Sequence, residues 1–120
     1  MAPLDSMRVS MIVEFIDDDL QEFLIKGNSK KLKKYRHNKR FKEGLERALY
    51  LMDTVEAVEE LANYSSLHYE ALRADYSGYH SVRVLNGSPE RIVFRVEENE
   101  EGECIIVITE LNTTHYNGKK

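Results

Sequence analysis

The stretch whose reading decides the fold is residues 67–95, LHYEALRADYSGYHSVRVLNGSPERIVFR. Side chains alternate across a strand. From Tyr79 to Leu85 this places Val82 and Val84 on one side, and Ser81, Arg83 and Leu85 on the other. From Glu90 to Val96, the residues Ile92, Phe94 and Val96 share a face, with Arg91, Val93 and Arg95 opposite. The two runs read as a hairpin, and its register decides whether the apolar faces coincide. A two-residue Asn86-Gly87 turn is a good hairpin signal, but it sets Val82 opposite Arg91 and mixes the faces. A three-residue loop, Asn86 to Ser88, pairs Leu85 with Pro89, Val82 with Ile92 and Arg83 with Arg91. That register leaves one apolar face for a core and places two guanidinium groups side by side on the other. Like charges directly opposite each other destabilise a sheet, so the pair calls for an anion or a nearby carboxylate. The bland alternative is two ordinary solvated arginines.

Upstream, Val9 to Ile16 reads as a strand, with Val9, Met11, Val13 and Phe15 on one face and Ile12 and Ile16 on the other. Asp17 to Asp19 supply a cap and negative charge for a helix start. Leu20, Phe23 and Leu24 give that helix its apolar stripe, and Gly27-Asn28 ends it. Phe41, Leu45, Ala48, Leu49 and Met52 recur at helical spacing. Val55, Val58, Leu61 and Ala62 mark one more short helix. Downstream, Glu97 to Glu103 is an acidic turn, whose bland reading is solvated charge at a loop tip, and Cys104 to Leu111 is the last strand. Residues 1–8 carry no pattern and are expected to be disordered, with Met7 or Met11 as alternative natural starts. The order is thus strand, helices and antiparallel meander: an α+β fold with the N-terminal strand and helices packed on one face of the sheet and the arginine face left open.

At 120 residues the chain is expected to form one domain with a single modest core. Its 42% hydrophobic and 32% charged residues are an ordinary globular balance. No apolar run approaches the roughly 18 residues of a membrane span, and no signal peptide is expected. Membrane partners are not expected. The lone Cys104 cannot form an internal disulfide and is expected to be a buried thiol, which fits a reducing cytoplasm. His37, His68, His80 and His115 have no ligand-like spacing, so neither a metal nor a cofactor is expected.

Charge is unevenly spread. Lys26, Lys30, Lys31, Lys33, Lys34, Arg36, Lys39, Arg40, Lys42 and Arg47 stand against only Glu43 and Glu46, a local net charge of +8 in a chain of net charge −4. A solvated helix face is the usual meaning of a charge run. The density and single sign here point instead to an amphipathic helix whose basic remainder tracks phosphates, with ribosomal RNA as the natural target.

Several of these residues fall into a family pattern. Glu70-Ala-Leu-Arg-Ala-Asp-Tyr-Ser-Gly-Tyr-His-Ser-Val-Arg83-Val, then Arg91-Ile-Val-Phe and a terminal Thr-His115-Tyr116, resemble the RelE/YoeB/HigB superfamily, the toxins of bacterial type II toxin-antitoxin pairs. The motif is most similar to the YoeB branch, and the upstream strand and helices are more like the HigB branch, where only the layout matches. The resemblance implies a metal-independent endoribonuclease that cleaves mRNA at the ribosome by attack of the RNA 2′-hydroxyl. It makes Glu70 the general base, Arg83 and Arg91 the transition-state clamp, His115 the general acid and Tyr116 the residue that stacks on or orients a base. Arg73 takes the place of a basic residue that contacts the phosphate backbone. A cognate antitoxin is the implied partner, laying a helix or strand over the arginine face or displacing His115-Tyr116. Departures exist: relatives are usually strongly basic, whereas this sequence has a pI near 5.6, and His80 stands where YoeB-like sequences carry Trp. They keep a second class open, a non-catalytic binding module of the same fold, either a ParE-like gyrase inhibitor or an inactive antitoxin-binding homologue. The ParE-like branch generally lacks the Glu and terminal His-Tyr constellation.

Overall fold

The computed structural model of the protein describes residues 12–85 and 87–112. Residues 1–8, Asn86, His115 and Tyr116 lie outside them. The elements are β1 (Ile12–Phe15), α1 (Asp18–Lys26), α2 (Lys39–Thr54), β2 (Glu70–Ala71), β3 (His80–Arg83), β4 (Arg91–Glu98) and β5 (Cys104–Asn112). Short 3-10 turns occupy Lys33–Tyr35, Val58–Asn63, Ser65–Leu67 and Ala74–Tyr76. The five strands form one sheet in the order β1-β5-β4-β3-β2. The α+β architecture is the expected one, with one refinement. β1 joins the sheet beside β5 and runs parallel to it, Ile12 opposite Ile105 and Phe15 opposite Ile108, so the meander is antiparallel but the whole sheet is mixed. A parallel pairing needs a long crossover between its strands, and here the helices and the other three strands supply it.

Local chemistry sets the helix ends. Asp17 Oδ1 accepts from the Leu20 amide at 3.1 Å, and Asp18 and Asp19 occupy the first turn of α1. Gly27, at φ 80°, closes that helix in the left-handed conformation and donates its N–H to the Phe23 carbonyl. Asp17 Oδ2 also accepts from the Leu111 amide at 3.2 Å, fastening the helix start to β5. Asn38 Oδ1 takes the Phe41 amide at 3.0 Å and starts α2 at Lys39. The basic run is therefore not one amphipathic helix. Lys30, Lys31, Lys33, Lys34 and Arg36 precede the cap in a turn segment, because Asn38 satisfies the amide that a longer helix would have bonded internally.

The apolar face reads as expected. Val82, Val84, Ile92, Phe94, Ile106 and Ile108 are buried against Leu20 and Phe23 of α1 and Phe41, Leu45, Ala48 and Met52 of α2. Each such side chain contributes about 1.5–3 kcal/mol on full burial. The helix meets the hairpin closely at Gly44, where a Cβ would stand 2.5 Å from the Val84 carbonyl oxygen. Two expectations change. The short helix after α2 is a 3-10 turn that buries Leu61. Cys104 is exposed, because it opens β5 opposite Glu98, at the end of the ladder and beyond the helices' cover.

Candidate functional site

The hairpin register carries the site. Val82 pairs with Ile92 and Arg83 with Arg91, as the alternation requires. The regular ladder stops there, short of a Leu85–Pro89 pair. Val84 N–H still donates to the Glu90 carbonyl at 3.2 Å, and Ser88 N–H closes the turn onto the Leu85 carbonyl at 3.2 Å. On the face away from the helices, one row runs Glu70, Ser81, Val93, Glu110, and the next runs Arg83, Arg91, Asn112. The register of β4 against β5 shifts between Val93 and Phe94, where Thr109 Oγ1 donates to the Val93 carbonyl at 3.1 Å. The shift keeps Glu110 and Asn112 in those two rows.

Two like charges face each other at Arg83 and Arg91, and the structure separates their tasks. Arg91 Nη1 reaches Glu70 Oε1 at 3.4 Å and Ser81 Oγ at 3.2 Å. Its side chain is only 11% exposed, whereas that of Glu70 is 41% exposed. Arg83 folds back along its own turn and donates from Nη1 to the Ser88 carbonyl at 2.6 Å. Its buried Nε has no hydrogen-bond partner among the described residues. The carboxylate that the arginine pair calls for is thus Glu70, across the sheet edge, and it serves Arg91. Arg73 is exposed at the start of the Ala74–Tyr76 turn. His115 and Tyr116 lie outside the described residues, so the structure brings together Glu70, Arg83 and Arg91.

A second cationic feature lies in the segment between α1 and α2. Lys33, Lys34, Arg36 and His37 line an open cleft of about 500 Å³ that contains no carboxylate. Arg36 Nε donates to His37 Nε2 at 3.2 Å. Lys31 pairs with Asp19 at 3.9 Å. Lys30, Lys33, Lys34, Arg36, Lys39 and Arg40 make no ion pair among the described residues. Tyr35, inside this segment, points the other way. Its ring stacks on Phe41 at 4.0 Å, and its hydroxyl donates to Glu90 Oε2 at 2.8 Å. Burial, and then the Glu90 hydrogen bond, hold that hydroxyl well above its ordinary pKa.

Sequence reasoning missed Ser81, Tyr35, Glu90 and His37. For Ser81 a signal existed, since alternation put it on the arginine face. His80 belongs to the other face, sandwiched between Tyr69 and Phe94 with ring centroids at 5.8 and 5.3 Å. Its Nδ1 lies 2.8 Å from the Tyr69 hydroxyl. Burial lowers the His80 pKa and raises that of Tyr69, so both groups favour their neutral forms. Arg95 is tied to Glu97, which raises its pKa. Among the described residues no three His, Cys, Asp or Glu side chains cluster as metal ligands, and no helix is long and apolar enough to cross a membrane.

Comparison with known proteins returns the fold. No protein-family model and no curated protein sequence matches the chain. Among solved structures it is similar to a YoeB/ParE toxin from Agrobacterium tumefaciens, with a TM-score of 0.52 and 14% identity, over 87% of this chain and 99% of that one. Similarity also extends to the YoeB-YefM toxin-antitoxin complex of Staphylococcus aureus (TM-score 0.47, 17% identity, 88% and 98% covered) and to YafQ of E. coli strain BL21(DE3) (TM-score 0.48, 14% identity, 87% and 93% covered). The chain has the RelE/YoeB-like toxin fold.

Proposed function

We propose that this single-domain protein is the toxin of a type II toxin-antitoxin system, a metal-independent endoribonuclease that cleaves mRNA at the ribosome in the cytoplasm. The observation that carries the reading is the Glu70–Arg91 pair, a half-exposed carboxylate 3.4 Å from a guanidinium on a sheet face with a second arginine opposite. RNA brings its own nucleophile. Glu70 takes the proton of the 2′-hydroxyl, the 2′-oxygen attacks the adjacent phosphorus, and the bond to the 5′-oxygen breaks. Arg91, joined by Arg83 once it leaves the Ser88 carbonyl, neutralises the charge that gathers on the phosphoryl oxygens. By the family resemblance, His115 returns a proton to the 5′-oxygen, Tyr116 orients a base, and Arg73 holds the phosphate backbone. The cleft of Lys33, Lys34 and Arg36, with Lys30, Lys31, Lys39 and Arg40 around it, supplies the electrostatic grip on ribosomal RNA. A cognate antitoxin keeps the toxin silent.

The test is cleavage of a translated message by purified protein and ribosomes, with 5′ ends mapped by primer extension. Cuts within codons that vanish in Arg91→Ala and in His115→Ala support the nuclease. Intact message, with a partner still bound, leaves the non-catalytic module instead. The engagement of Arg83 with its own turn is the observation that favours that second reading.

A further inference from the structure

Ser81 is fully buried, sits directly opposite Glu70 on β2, and accepts a hydrogen bond from Arg91 Nη1 at 3.2 Å. The same Nη1 reaches Glu70 Oε1 at 3.4 Å, the longer of the two contacts. Arg91 starts two residues along β4 from Val93, the residue that pairs with Ser81. Its side chain therefore crosses the sheet diagonally to reach Glu70, with the Ser81 hydroxyl beneath the guanidinium on the way. We propose that Ser81 is a positioning residue that aims the Arg91 guanidinium and keeps it from collapsing onto Glu70, a role that rests on the nuclease reading above.

The physical reason lies in the balance of acceptors. A largely buried guanidinium needs acceptors for its N–H groups, and a nearby carboxylate is the strongest acceptor on offer. Closing fully onto it would occupy the lone pairs Glu70 needs for the 2′-hydroxyl proton and pull Nη1 away from the phosphate. A neutral hydroxyl at 3.2 Å satisfies the donor without adding charge, so the carboxylate keeps a free oxygen face and the guanidinium keeps a fixed aim. Such groups must be held in place by partners whose own positions are locked. Ser81 meets this condition, because its backbone pairs with β2 on one side and β4 on the other.

Three measurements on Ser81→Ala and Ser81→Thr test this. The first is single-turnover cleavage of a ribosome-bound message. The second is affinity for the same RNA with a 2′-deoxy nucleotide at the cleaved position, which cannot react. The third is the NMR mobility of the Arg91 Nε–H group. Loss of a hydrogen bond to a charged group corresponds to about 10- to 100-fold in rate. Ser81→Ala should lose that much cleavage, bind the unreactive RNA as the wild type does, and show a more mobile Arg91. Ser81→Thr, which keeps the hydroxyl, should recover most of the rate, and thermal unfolding of both variants reports whether the added methyl group disturbs the packing. An unchanged Arg91 signal in Ser81→Ala, or cleavage at the wild-type rate, overturns the proposal. If the wild-type protein itself leaves the message intact, the nuclease reading is what has failed, and the Arg91 mobility alone decides whether Ser81 aims the guanidinium.

Discussion

Tyr35 and Glu90, 55 residues apart in the chain, meet at 2.8 Å between the basic segment and the arginine hairpin. One oxygen of the carboxylate takes the phenol, and the other, Oε1, is buried with no hydrogen-bond partner among the described residues. An under-satisfied carboxylate of this kind costs stability, so taking the phenol from its other oxygen costs more. Tyr35→Phe keeps the stack on Phe41 and should destabilise the fold by about 1–3 kcal/mol. Urea unfolding measures it; a midpoint equal to that of the wild type would mean the bond contributes nothing net.

Gly44 is a close approach between α2 and the hairpin. A methyl group there meets the Val84 carbonyl oxygen at 2.5 Å and Leu85 Cδ2 at 2.9 Å. Because the first neighbour is backbone, the helix must move. Gly44→Ala, normally favourable inside a helix, should instead cost about 1–3 kcal/mol, read as a lowered thermal midpoint.

The cleft at Lys33, Lys34 and Arg36 leads to a salt-dependence prediction. Each phosphate contact to single-stranded RNA contributes about −0.7 to the slope of log affinity against log salt. Replacing all three residues by Ala should flatten that slope by about 2 and weaken binding at low salt. Fluorescence anisotropy with a short RNA, from low to moderate salt, gives both quantities. A slope that does not change would remove this cleft from the RNA interface.

His80 gives a pH prediction. Burial lowers its folded-state pKa below the ordinary 6.5, with Glu59 opposing. The folded state therefore prefers the neutral ring. The stability that this preference contributes is present above pH 6.5 and is lost as pH falls from 6.5 through the lower folded value. The drop in thermal midpoint between pH 7.5 and 5.5 should be smaller in His80→Gln than in the wild type. Equal drops would show that the imidazole stays unlinked to folding.

Much of the fold was legible because it rests on local patterns. Alternation around Val82, Ile92 and Phe94 fixes the hairpin register, and Asp17 and Gly27 announce both ends of α1. The partner of β1 was not legible, since Ile12 meets Ile105 across almost the whole chain and an apolar strand says nothing about which neighbour it takes. The start of α2 was signalled by Asn38, but the helical spacing of the apolar residues and the run of lysines masked the cap. For the site, the shared face of Arg83 and Arg91 follows from period two. The division of labour between them does not, because it depends on where two long side chains turn. Arg83 goes to Ser88 and Arg91 to Ser81 and Glu70. The roles of His115 and Tyr116 rest on the motif alone.

The parallel pairing of β1 with β5 also orders events during synthesis. β1 can reach its neighbour only after roughly 90 more residues have been added, on the order of 5 to 20 seconds at usual elongation speeds. Through that interval Val13 and Phe15 have no sheet to join, and the backbone groups of β1 stay unmatched. The nascent chain thus cannot complete its sheet until β5 has been made.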